Sequence, residues 1–99
     1  MSILTPTRQK FIDRILPFVL VSSLNNDLLP SVTLAQAIVE SGWGTSSIAV
    51  KGFNFFGIKA NKEWNGPSMD KLTQEVYNGA RVSISQLFRV YGSVKEGVS

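Results

Sequence analysis

The 99-residue chain contains neither cysteine nor histidine. Their absence excludes a disulfide framework, Cys/His zinc sites and the Ser-His-Asp and Cys-His nucleophilic devices. Carboxylates are few: Asp13, Asp27, Glu40, Glu63, Asp70, Glu75 and Glu96 complete the set. No cofactor or metal is expected from such a composition. The ten Lys and Arg residues, which give a net charge of +3, are scattered and form no arm or recognition helix. A mildly basic balance suits polyanionic partners, but no nucleic-acid motif is present and nucleic acid is not expected. The most apolar stretch, Ile15 to Leu24, is too short to span a bilayer, so no membrane insertion is expected. Arg8, Lys10 and Arg14 precede it as in a signal peptide, yet Asp13 and Pro17 fit that reading badly. An amphipathic helix accounts for the stretch better. There are no repeats, low-complexity tracts or linkers, so residues 1–99 are read as one domain.

Thr5-Pro6-Thr7 supplies a hydroxyl cap and a first-turn proline. The stripe Phe11, Ile12, Ile15, Leu16 and Val19 then predicts a helix over 6–22, with Pro17 kinking it or ending its regular part. A polar loop from Ser22 to Asp27 leads to Pro30 and a second helix from Ser31. Only Thr33 and Gln36 interrupt the apolar residues of that helix, which predicts burial on most sides. Gly42 or Gly44 supplies its left-handed stop, and a short helix follows over 45–51, capped by Thr45 or Ser46. From Gly52 onward glycines, asparagines and Pro67 mark loops. Thr73 to Ile84 reads as a hairpin about Asn78-Gly79, with Glu75 opposite Val82 and on the face of Tyr77. The tail after Tyr91 ends in small and charged residues. Helices followed by a small antiparallel hairpin lobe make an α+β arrangement.

Five of the carboxylates, Asp13, Asp27, Glu63, Asp70 and Glu96, lie in polar surroundings and read as solvated surface. Glu40 differs. It ends a nearly all-apolar helix, where lost hydration and the helix macrodipole both disfavour negative charge. Trp43 and its flanking glycines can wall an open space beside it. A carboxyl kept protonated near neutral pH is what a general acid needs. The competing reading is a glutamate at a frayed helix end that points to water. Glu75, on the opposite lobe, is the natural second carboxylate for glycoside hydrolysis, or else a cross-strand residue facing solvent.

Aromatic residues crowd these positions. Most of the phenylalanines read as core, whereas Trp43 and Trp64, beside glycine-containing loops, are better placed to meet the apolar face of a sugar. Asn54 offers a hydrogen bond to a substrate amide or caps a turn. Trp43, Asn54, Phe56, Trp64 and Tyr77 are the candidate substrate contacts.

The block Pro30-Ser-Val-Thr-Leu-Ala-Gln-Ala-Ile-Val-Glu-Ser-Gly-Trp-Gly44 resembles the signature of the bacterial peptidoglycan N-acetylglucosaminidases of glycoside hydrolase family 73. That family includes the flagellar rod-associated hydrolase, autolysins and phage lysins. The resemblance continues through Thr45–Ala49, Gly52–Lys59, Trp64-Asn65-Gly66, Thr73-Gln74-Glu75 and Phe88-Arg89-Val90-Tyr91, in order along nearly the whole chain. It implies a lysozyme-like fold, with two lobes flanking a groove for peptidoglycan glycan strands. It further implies an endo-β-N-acetylglucosaminidase that hydrolyses the β-1,4 bond after N-acetylglucosamine at the bacterial cell wall, in the periplasm or outside the cell. Glu40 matches the family's general acid. Glu75 matches a β-lobe glutamate proposed as second carboxylate, whose role passes to orienting water if the substrate's acetamido group assists.

The family's domain continues past the Phe-Arg-Val-Tyr block through helices carrying a cleft aromatic, usually tyrosine. Here the chain stops eight residues after Tyr91, which is not that residue. The expectation is therefore a C-terminally truncated or shortened domain. Two alternatives follow: a non-catalytic glycan-binding or scaffold module with an incomplete groove, and a muramidase or lytic transglycosylase acting on the neighbouring bond.

Overall fold

Thr5 caps the first helix in the computed structural model, which describes residues 4–99. Its hydroxyl accepts from the Arg8 N–H at 3.2 Å, and Pro6 takes the first position of α1 (Pro6–Asn25). The helix runs through Pro17 and three residues past the expected end at 22, so of the two readings of the proline the one that ends the regular part is set aside. A proline in a helix interior costs about 3 kcal/mol through its missing N–H and a clash with the preceding turn. Pro17 lies on the exposed side, however, and Phe11, Ile15, Val19 and Ser22 bury one continuous stripe on both sides of it. Full burial of an aliphatic side chain is worth about 1.5–3 kcal/mol, so this stripe outweighs the proline. α1 ends where the Asn26 backbone and side-chain N–H groups both return to the Ser22 carbonyl.

The second helix, α2 (Pro30–Ser41), closes on Gly42 in the left-handed conformation. It buries only Thr33, Ala37 and Ser41, while Val39 is 76% exposed. The expected burial on most sides is thus corrected to one narrow stripe of small residues packed on α1. Short α3 (Ser47–Gly52) is capped by Ser46, whose hydroxyl accepts from the Ala49 N–H.

Strands β1 (Ser68–Tyr77) and β2 (Ala80–Arg89) pair antiparallel in the expected register, with Glu75 opposite Val82 and Tyr77 opposite Ala80. Asn78 and Gly79 both hold positive φ, as a two-residue turn of this hand requires. The ladder runs farther back than Thr73, to Ser68 and Arg89. Its sheltered face carries Met69, Ile84 and Phe88 together with a row of polar side chains. Lys71, Thr73, Glu75 and Gln86 lie half-buried on that face, while Leu72, Val76 and Leu87 are exposed on the other.

The tail, to which the sequence reading assigns no element, forms α4 (Val94–Val98), capped by the Ser93 hydroxyl and packed on α1. Gly97 makes this docking possible, since a Cβ there would collide with the Phe53 carbonyl oxygen. Val98 joins Phe11, Ile15, Val19, Ala37, Ala49 and Phe55 in the core.

Candidate active site

Glu40 stands in the last turn of α2, next to the fully buried Ser41. The Ser41 hydroxyl donates to the Ala37 carbonyl and accepts from the Gly44 N–H at 2.8 Å, which fixes the helix end. The Glu40 side chain is exposed, so the desolvation expected of its helix is absent. It faces a cavity of about 390 Å³ lined by Gln36, Glu40, Phe56 and Ile58. Within the size range of small-molecule sites, this cavity is open enough for a ligand to approach the carboxylate. One Glu40 carboxylate oxygen lies 3.6 Å from where a Cβ on Gly57 would sit, and Gly57 holds φ +66°. That left-handed backbone favours glycine, and a Cβ there would touch the acid only at van der Waals distance.

The wall opposite Glu40 is held by Asn54, which is 1% exposed. Its side-chain N–H groups donate to the Ile58 and Arg89 carbonyls at 2.8 and 2.9 Å, and its oxygen accepts from the Ile58 N–H at 2.9 Å. Buried and occupied in this way, Asn54 cannot reach a substrate amide. The structure corrects that assignment and favours the turn-holding alternative. Further backbone bonds, from Arg89 N–H to the Ile58 carbonyl and from Ala60 N–H to the Leu87 carbonyl, stitch the same loop to β2.

The remaining candidates separate. Phe56 lines the Glu40 cavity. Trp43 does not. Its ring meets the edge of Phe11 at 6.5 Å and lies 4.8 Å from the Arg8 guanidinium, packed against the helical core. Trp64 lines a second cavity of about 480 Å³, which shares Phe56 and Ile58 with the first. Its ring N–H donates to the Pro67 carbonyl, Tyr91 meets it edge-on at 5.3 Å, and the Arg89 guanidinium lies 4.9 Å from its centroid. Tyr77 stands beside the hairpin turn, 57% exposed, and lines neither cavity. Glu75 is half-buried and accepts from the Gln86 side-chain N–H at 3.0 Å, outside the lining of the Glu40 cavity. Asp13, Asp27, Glu63, Asp70 and Glu96 are exposed, as expected of surface carboxylates.

Sequence reasoning missed Gln36, Gly57 and Ile58 as parts of the site. Gln36 carried a usable signal, since it breaks an apolar helix one turn before Glu40 and shares its face. Among the described residues no group of three or more acidic side chains could hold a metal ion, and no helix is long and apolar enough to cross a membrane.

The family model described as mannosyl-glycoprotein endo-beta-N-acetylglucosaminidase matches residues 18–99. The exo-glucosaminidase LytG of Bacillus subtilis (strain 168) is 38% identical over 91 residues, covering 92% of this chain and 32% of that protein. The peptidoglycan hydrolase FlgJ of Escherichia coli (strain K12) is 41% identical over 70 residues, covering 67% of this chain and 22% of that one. Among solved structures, the catalytic domain of the autolysin Auto from Listeria monocytogenes superposes with a TM-score of 0.85 at 32% identity, over 99% of this chain and 55% of that one. The chain therefore spans about a third or less of the two relatives' length and just over half of the solved domain. The α+β, lysozyme-like class read from the sequence holds, with a helical lobe and a two-stranded sheet. By this match, over more than four-fifths of its length, the chain belongs to the glucosaminidase family.

Proposed function

We propose that this chain carries the acid and part of the groove of an endo-β-N-acetylglucosaminidase acting on peptidoglycan at the bacterial cell wall. The observation that carries the reading is the position of Glu40. It stands at a helix end whose backbone Ser41 holds, and its side chain lines a cavity together with Phe56. In that position it donates a proton to the oxygen of the β-1,4 bond after N-acetylglucosamine as an oxocarbenium-like transition state develops. Phe56 offers its face to a sugar ring, and Gln36 offers an amide to a substrate hydroxyl or acetamido group. Glu75, on the sheltered face of the hairpin, serves as the second carboxylate that polarises the attacking water. The relatives' names support the substrate class, a glucosaminidase in one case and a peptidoglycan hydrolase in the other.

The test is digestion of purified peptidoglycan, followed by borohydride reduction and mass spectrometry of the new chain ends. Reduced N-acetylglucosamine on internal fragments is the expected product. Reduced muramic acid or anhydro ends indicate cleavage of the neighbouring bond, and intact glycan with retained binding indicates a module without turnover. Glu40→Gln is expected to lower kcat by roughly 10²–10⁴-fold, the usual contribution of a general acid. Its melting temperature should stay near that of the parent chain, because exposed substitutions generally shift stability by about 0.5 kcal/mol or less. Undiminished hydrolysis by Glu40→Gln overturns the assignment of the acid.

A further inference from the structure

The sheltered face of the hairpin holds a hydrogen-bond chain made of side chains. Gln86 reaches diagonally across the ladder and donates one amide hydrogen to Thr73 Oγ1 at 2.9 Å and the other to Glu75 Oε1 at 3.0 Å. Thr73 Oγ1 in turn donates to the Ile84 carbonyl at 3.3 Å. The direction of this chain is fixed by its ends. A peptide carbonyl and a carboxylate only accept, so the threonine must donate toward Ile84 and the Gln86 NH₂ must face both Thr73 and Glu75. Gln86 is itself held, because it lies half-buried two residues before the buried Phe88, at the anchored end of β2.

We infer that Gln86 is a positioning residue for Glu75, holding its carboxylate on the sheltered face in the orientation that the reaction uses. This rests on the reading of Glu75 as the second carboxylate. A free glutamate side chain samples several rotamers, and fixing it beforehand removes that entropic cost from the reactive complex. Among the described residues the Gln86 amide has one acceptor besides Glu75. That acceptor is Thr73, which the ladder places two residues back on the same strand face. The amide therefore links the carboxylate to the backbone of both strands rather than to a second mobile side chain.

The test is a double-mutant cycle of Gln86→Leu and Glu75→Gln, with the release of reducing ends from purified peptidoglycan as readout. Gln86→Leu is expected to lower kcat about tenfold to a hundredfold, as small misplacements of reacting groups do, with KM within twofold of the parent. In the Glu75→Gln background the same change is expected to cost nothing further. An additive loss, or an unaffected rate in Gln86→Leu while Glu75→Gln is impaired, overturns the role of Gln86 and leaves that of Glu75 standing. A fully active Glu75→Gln overturns the reading of Glu75, and that of Gln86 with it. Crystal structures of the parent and Gln86→Leu chains test the same role without turnover. The Glu75 carboxylate should leave its place beside Thr73 in the variant, and finding it unmoved overturns the inference.

Discussion

The helical lobe and the hairpin solve the same problem in opposite ways. In the helical lobe Phe11, Ile15, Val19, Ala37, Ala49 and Phe55 fill one continuous core, and the acid candidate Glu40 stands exposed at its rim. The hairpin buries a single large side chain, Phe88, and turns Leu72 and Val76 outward, both more than 60% exposed. A polar row shares the sheltered face with Met69, Ile84 and Phe88, and Glu75 lies half-buried in it among hydrogen-bonding neighbours. A two-stranded sheet alone is marginal in water, so the hairpin depends on its docked end rather than on apolar burial of its own. Apolar burial and half-buried polar side-chain contacts are thus concentrated in different lobes. Glu40 is positioned by backbone packing beneath it, and Glu75 by hydrogen bonds around it.

This division can be broken experimentally, beginning with the core. Phe55→Ala removes a fully buried ring that also packs against Phe11 at 6.0 Å. It is expected to cost about 3–5 kcal/mol by chemical denaturation, enough to threaten folding of a domain this small. A loss below about 1 kcal/mol would mean that the helical core is not where stability resides. Asn54→Ala strikes the joint between the lobes. It leaves the Arg89 carbonyl and the Ile58 N–H without their Asn54 partner, removes one of two donors from the Ile58 carbonyl, and is expected to cost about 2–3 kcal/mol. It should also displace the Phe56–Ile58 wall, visible as altered amide resonances from residue 55 to residue 60. Leu72→Ser on the outward face is expected to shift stability by no more than about 0.5 kcal/mol. A large loss there would show that the exposed face is covered in solution, and the contrast between the lobes would need redrawing.

Much of this arrangement is legible in the residues themselves. The Thr5-Pro6 start and the Asn78-Gly79 turn rest on local chemistry and stand where the sequence places them, while the structure selects Gly42 over Gly44 as the stop and Ser46 over Thr45 as the cap. Glu40 and Phe56 meet at one cavity for the same reason, since each lies next to a local signal. Pro17 leaves two readings open because its local penalty is set against packing from elsewhere in the chain. The short α4 escapes a sequence reading because its docking rests on Gly97 meeting Phe53, a contact 44 positions away. Trp43 and Asn54 resemble ligand contacts in sequence because tryptophan and asparagine suit either role. Only tertiary structure shows Trp43 turned onto Phe11 and Asn54 sealed inside. The sheltered side of the hairpin is hidden too, because alternation reveals two faces without saying which one packs.

The bond from Asn54 to the Arg89 carbonyl joins positions 35 residues apart. Closing a flexible loop of that length costs about 3 kcal/mol in chain entropy beyond a constant term. The same closure is shared by the Tyr91 N–H, which donates to the Gly52 carbonyl at 2.8 Å, and by Val98, which joins the helical core. A chain whose second strand is undocked therefore still presents Glu40 at the end of its helix, but has lost one of the ties that hold the wall across from it. Site assembly and the ordering of β2 are in this sense one equilibrium. Conditions that loosen the hairpin's anchored end weaken the cavity before they touch the core.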